Sequence, residues 1–187
     1  MRKLSIFLVM VLIGTTIQAQ STWKSDNAHS KVGFSITHLM ISEVEGSFGE
    51  FDITATADDN FDDASFDVEI KVASIDTDNE NRDNHLKSPD FFDAEKYPSI
   101  TFKSTSFEKT GDKTFALTGD LSMHGVTKSV NLEGKVNGVI TDQRSQKLKA
   151  GLKLTGTVDR LEFGVGGDTP TLGDDVEFTV NLEMAQQ

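Results

Sequence analysis

The chain has 187 residues, with 30 Asp+Glu against 18 Lys+Arg for a formal net charge of −12, 13 Phe beside one Trp and one Tyr, and no Cys. That length suits one ordinary domain with a short appendage, and it buries enough surface to fold without disulfides or a structural metal. Without thiolates there is no Cys-ligated zinc, iron–sulfur cluster, thiol nucleophile or thioether-linked haem, and the acidic balance argues against nucleic acid and anionic bilayer surfaces as partners.

The first element is a positive start, Met1-Arg2-Lys3, followed by an apolar run from Leu4 to Ile13 and the small residues Gly14, Thr15 and Thr16. Such a pattern predicts a secretory signal over residues 1–19, cleaved after Ala19. The apolar run is too short to cross about 30 Å of hydrocarbon, so no permanent membrane anchor is expected. Removing Arg2 and Lys3 leaves 16 basic against 30 acidic residues, a net −14. The expected location is a periplasm or the cell exterior.

Residues 20–187 read as a single domain in which apolar side chains recur at every second position, the period that sets them on one face of a strand. Val32, Phe34, Ile36 and His38 share a face opposite Lys31, Ser35 and Thr37. The even parity continues through Val44, Gly46 and Phe48, then turns odd at Phe51, Ile53 and Ala55, which predicts a bulge or bend at Gly49–Glu50. Further strands run through Ala64–Val72, Ile100–Phe102, Phe115–Met123, Val126–Val136, Leu148–Val158 and Val176–Met184. His124-Gly125 reads as a tight turn. Asp58-Asp59-Asn60, Thr110-Gly111-Asp112 and Asn137-Gly138 read as further turns. Between Thr77 and Pro98 the alternation stops, and Ser88-Pro89-Asp90 carries a helix-start signature. A short helical segment near residues 79–95 is therefore expected over one mouth of the sheet, with Phe91 or Phe92 plugging the core or lining an opening.

About eight antiparallel strands with one apolar face bury that face by stacking two sheets or by closing one; the absence of crossover helices favours a closed all-β barrel. An eight-stranded barrel is wide enough to be filled by side chains or to hold one small ligand. The small inward members Gly46, Ala64, Gly119, Gly134, Ala150 and Gly156 permit either outcome, and the excess of Phe over Tyr favours an apolar lumen. A hollow lumen would suit a long hydrocarbon: ten buried methylenes yield roughly 8 kcal/mol before ordering costs.

Catalytic signatures are weak. No two of His29, His38, His85 and His124 have strand or helix metal-ligand spacing, although His29, His38 and His124 are free to converge in space. The acidic run Asp76–Glu80 lacks the Gly and Glu of a calcium loop, which are replaced by Asn81 and Lys87. The segments around Ser122 and Gly164–Gly167 lack the glycine pattern of a nucleophile elbow and of a dinucleotide loop. No catalytic residue, metal or cofactor is assigned. Arg82 and Arg160 are candidates for an anionic headgroup, with ion pairs to nearby carboxylates as the competing reading.

Several runs together resemble the YceI-like polyisoprenoid-binding proteins. They are Trp23 with Asp26–Ser30, Val32-Gly33-Phe34, His38 and Val44–Phe48; Ser74–Thr77, Arg82–Asp93 and Tyr97–Ser104; and Gly119–Lys128 with Arg160–Gly164. The resemblance implies an exported, lipocalin-like, eight-stranded antiparallel barrel that holds an isoprenoid or fatty amphiphile and performs no catalysis. It makes Phe34, Phe48, Phe91, Phe92, Phe102, Leu121 and Phe163 pocket candidates, with Ile36 and Met123 beside them, and His38, Arg82, His85, His124 and Arg160 candidates for a polar mouth. The rival reading is a lipid-modifying or histidine-metal enzyme on the same barrel; a homodimer is left open.

Overall fold

The computed structural model describes residues 20–187; the expected signal segment, residues 1–19, lies outside the described residues. In chain order the elements are β1 (Ser21–Ser25), β2 (Lys31–His38), β3 (Ser42–Phe48), β4 (Phe51–Ala57), β5 (Ala64–Lys71), β6 (Ile75–Asp76), α1 (Glu80–Lys87), β7 (Ser99–Lys109), β8 (Thr114–Met123), β9 (Val126–Thr141), β10 (Leu148–Asp159) and β11 (Leu172–Gln186). Every pairing is antiparallel, and β11 meets β10 on one side and both β2 and β1 on the other, which closes the sheet.

The eleven strands make eight staves, because the first three staves are each broken once. β1 and β2 form the first, interrupted at Asp26–Ser30, where the Asp26 N–H donates to the Glu183 carbonyl (2.8 Å) and the Glu183 N–H donates to Ser30 Oγ (3.0 Å). β3 and β4 form the second. Its break at Gly49–Glu50 is where the parity switch was expected, and Phe48 and Phe51 on either side both point into the core. The Gly49 N–H donates to the Ser74 carbonyl (3.0 Å) and the Glu50 carbonyl accepts from Lys71 (2.9 Å), so the bend stays stitched to the third stave. That stave is β5 and β6, joined by a single 3-10 turn at Val72–Ser74. Unbroken β7 to β11 complete the meander.

One end of the barrel is solid. Trp23 is fully buried, and its ring meets Phe61 at 4.8 Å between centroids; Phe66 stacks on Phe115, which stacks on Phe107 at 4.6 Å. Phe61 reaches this position from the β4–β5 connection. The Asp58 carboxylate folds that connection inward by accepting the N–H groups of Asn60 (3.0 Å) and Asp62 (2.9 Å), and Phe61 adopts a left-handed φ of 57°. The predicted turn is present, and it carries the plug of the barrel.

Two local expectations are corrected. Ser88-Pro89-Asp90 ends a helix rather than starting one: α1 is capped at its start by Asn79, whose side chain accepts the Arg82 N–H (3.0 Å), and at its end by Ser88, whose hydroxyl donates to the His85 carbonyl (2.7 Å). Pro89 then stops the helix, having no N–H to continue it. Asn137-Gly138 lies inside β9 as a bulge: Gly151 faces Gly138 and Leu152 faces Val136, which leaves Asn137 as the extra residue. The hairpin turn comes later, where Asp142 accepts the N–H groups of Arg144 (3.1 Å) and Ser145 (2.7 Å). His124 and Gly125 do form the β8–β9 turn, with φ of 51° and 79°.

Candidate ligand-binding cavity

The other end of the barrel encloses a cavity of about 530 Å³ with an almost wholly apolar wall. That size falls within the usual range for small-molecule sites. β2 places Phe34, Ile36 and His38 on the wall by simple alternation, and Phe48, Phe102, Leu121 and Met123 come from β3, β7 and β8. α1 and the segment after it contribute Arg82, His85, Phe91 and Phe92. Phe91 and Phe92 both line the space, and Phe92 meets Phe48 edge to face at 6.3 Å.

Glycines hold the bore open. An added Cβ on Gly156 would come within 2.5 Å of the Phe178 ring, and the same clash arises between Gly46 and Phe34 and between Gly119 and Phe102. Phe34 faces Gly46 and Phe178 faces Gly156 directly across neighbouring strands. Each ring therefore lies over a glycine along the wall, where a side chain in that place would push it toward the axis. The pairing also compensates the glycine for its missing side-chain contacts. Gly134 takes the Phe115 ring in the same way at the solid end.

The two arginines differ in what they have left to offer. Arg160 is 3% exposed, and every N–H of its guanidinium is committed. Nε donates to the Gly173 carbonyl (2.8 Å), Nη1 to those of Val165 and Gly167 (3.0 Å each), and Nη2 to that of Leu172 (3.5 Å) and to Asp174 Oδ1 (3.3 Å). With five donors used, it fastens the β10–β11 connection, and only its flank belongs to the cavity wall. Arg82 spends two donors on one residue, Nε on Thr77 Oγ1 (2.7 Å) and Nη2 on the Thr77 carbonyl (2.6 Å). Thr77 is held in turn by buried Asp83, whose Oδ1 accepts its N–H (2.9 Å) and its hydroxyl (2.6 Å). Nη1 of Arg82 carries no hydrogen bond to the described residues.

His124 and Phe163 lie outside the cavity. The His124 Nδ1–H donates to the Phe163 carbonyl (3.3 Å), and its ring packs on Tyr97 at 4.7 Å; Phe163, 1% exposed, is core beneath the β10–β11 connection. The positive φ that puts His124 in the hairpin turn directs its ring to that outer cluster. His85 sits at the rim, exposed, with Phe91 against its ring at 4.9 Å and Asp90 3.5 Å from Nε2.

The histidines are not brought together. His38 and His85 belong to the cavity, His124 to the Tyr97 cluster, and His29 to an ion pair with Asp26 (2.9 Å). Among the described residues, Asp26, His29 and Glu183 form the one group of three such side chains within common reach of an ion, and Glu183 already accepts from Lys149 Nζ (2.7 Å). The hydrogen bond to Asp26 raises the pKa of His29 above the usual histidine value, and the same bond lowers that of Asp26.

Sequence reasoning did not single out Ile53, Val68, Leu86, Val158, Val176 and Phe178 as site residues, yet all line the cavity. Except for Leu86, on α1, each lies on a strand, and the alternation already marked positions 53, 68, 158, 176 and 178 as inward-facing.

A YceI-like domain model matches residues 23–184. Protein YceI of Escherichia coli O157:H7 is 36% identical over 180 residues, covering 96% of this chain and 93% of its own. A crystal structure of a Campylobacter jejuni YceI protein superposes with a TM-score of 0.75 at 37% identity, over 87% of this chain and 96% of that one. A polyisoprenoid-binding domain from Saccharophagus degradans has the same fold, with a TM-score of 0.65 at 11% identity over 88% of this chain and 98% of that one.

Proposed function

This chain belongs to the YceI-like family, and we propose that it is an exported carrier that holds a polyisoprenoid or similar long-chain amphiphile in the barrel. The observation that carries the reading is the 530 Å³ apolar cavity, closed at one end and open at the other. Such a wall offers a hydrocarbon burial at about 0.8 kcal/mol per methylene and asks for no matching polar group. The fold shared with a domain described as polyisoprenoid-binding supports the ligand class, and the residue 1–19 signal pattern supports export.

The tail lies among Phe34, Phe48, Phe91, Phe92, Phe102 and Leu121, and the head stays at the rim beside Arg82, His38 and His85. Arg82 is the cation with donors to spare, so a head with acceptor oxygens meets it first. The reading is binding and delivery, supported by a wall that meets the tail with apolar side chains.

Native mass spectrometry of the protein purified from a membrane-containing lysate tests this. The expected result is a bound species with the mass of an isoprenoid or fatty amphiphile, released by organic solvent. A protein that stays at its bare mass and does not displace a fluorescent lipid probe when offered one would overturn the reading.

A further inference from the structure

We infer that the β2–β3 hairpin tip, Leu39-Met40-Ile41, seats the barrel mouth on a zwitterionic lipid surface, so that the cargo passes between bilayer and lumen without crossing water. The inference rests on the lipid-holding reading above and adds the surface the mouth faces. Four large apolar side chains are strongly exposed among the described residues, and three of them are consecutive here: Leu39 at 49%, Met40 at 74% and Ile41 at 85%. A contiguous apolar projection of this kind marks a contact surface, whereas single exposed apolar residues need no explanation.

Its position ties it to the cavity. His38, at the base of the tip, lines the cavity, and the Leu39 N–H donates to the carbonyl of Thr171 (2.8 Å), which lines it from the facing connection. The tip is thus the rim of the mouth continued outward. Its backbone is unusual for its residues, since Leu39 and Met40 hold left-handed φ of 53° and 60°, a region that Asn, Asp or Gly occupies with less strain. The turn keeps apolar side chains where polar ones would fold more easily.

Charge selects the kind of surface. From Val32 to Ser42 there is no Asp, Glu, Lys or Arg, and Thr169–Leu172 opposite is uncharged as well, in a protein of net charge −12. An uncharged tip on an acidic body enters a zwitterionic interface and is held away from an anionic one. Apolar side chains set at the headgroup level supply the attraction.

The full chain is mixed with phosphatidylcholine vesicles and floated on a density gradient, beside a variant carrying Leu39→Asn and Met40→Gly. Both new residues suit the positive φ, so the variant keeps the turn and its thermal midpoint does not fall. Expected is vesicle association by the wild type, at least about tenfold weaker association by the variant, and weaker binding when phosphatidylglycerol is added. Lipid held in the lumen at equilibrium stays equal in both proteins. An Ile41→Trp variant should shift its emission to the blue on vesicles, a change assigned to the tip because Trp23 is fully buried. A wild type that carries lipid yet stays with the unbound protein overturns the inference and leaves the carrier reading intact. A tip-dependent dimer in sedimentation, without vesicle binding, overturns it in favour of a second copy. Vesicle binding by a protein whose lumen never fills supports the tip while removing the carrier.

Discussion

Where the β4–β5 and β7–β8 turns meet, Trp23, Phe61, Phe66 and Phe115 pack ring against ring; at the opposite mouth, the same eight staves surround open space. Both ends are rich in phenylalanine and both contain glycine–phenylalanine pairs, so composition does not separate them. What differs is where the rings are sent. At the solid end a loop residue, Phe61, adds a ring that no strand supplies, whereas at the mouth Phe34, Phe102 and Phe178 are laid against the wall over Gly46, Gly119 and Gly156. Whether a barrel is a core or a container is decided by a few ring orientations.

The largest effect that would test this contrast comes from truncating the same side chain at each end. Leu152→Ala removes a fully packed residue between Val136 and Leu182 and should cost about 2–5 kcal/mol in urea unfolding. Leu121→Ala only enlarges a space that already exists and should cost well under half as much while changing lipid retention. Equal losses would show that the mouth is packed as tightly as the other end. A second, smaller effect is expected from Gly156→Ala, which drives the Phe178 ring off the wall. The overpacking should cost about 1–3 kcal/mol shared between fold and ligand, seen as roughly tenfold weaker displacement of a fluorescent lipid. A variant with unchanged lipid affinity would show that the ring has another place to go.

The smallest effect belongs to the crook that joins β1 to β2. The pKa of His29 is raised from its ordinary value by the hydrogen bond to Asp26, so protonated His29 favours the folded state. That contribution is present at pH values below the ordinary histidine pKa and is lost as pH rises through the raised one. The lowered Asp26 works in the other direction, its contribution fading as pH falls through its depressed value. His29→Gln should remove the slight fall in the urea midpoint between mildly acidic and mildly alkaline pH and leave lipid binding untouched. Persistence of the same slope in the variant would assign it to another group.

Much of this architecture is legible in the sequence because a half-buried strand repeats every two residues. Val32, Phe34, Ile36 and His38 point inward together, and the switch between Phe48 and Phe51 marks the bend. The helix boundary is misread because Ser88-Pro89-Asp90 satisfies helix-start chemistry as well as helix-stop chemistry, and only the hydrogen bonds of Asn79 and Ser88 decide the direction. Asn137-Gly138 is equally suited to a turn and to a bulge. The cavity is less legible than the fold. Period 2 says which residues face inward but not how far along the axis each ring reaches. His124 and Phe163 belong to the family-like segments and still lie outside the cavity: the His124 ring packs on Tyr97 from its turn, and Phe163 is buried in the 3-10 turn that follows β10. The saturation of Arg160 depends on two carbonyls of the aperiodic β10–β11 connection and two from the first residues of β11, so no spacing announces it.

The Phe61 stopper gives the tube a floor, and a vessel with one doorway imposes an order of events. In the proposed carrier, cargo would enter tail first and leave head first, and two molecules would not pass each other inside. The depth from rim to floor would then act as a gauge: a short chain would disappear within, while a longer one would leave its remaining carbons and its head protruding. A recipient enzyme or carrier would meet that protruding portion before anything else, and could tell a loaded molecule from an empty one by touching the cargo alone.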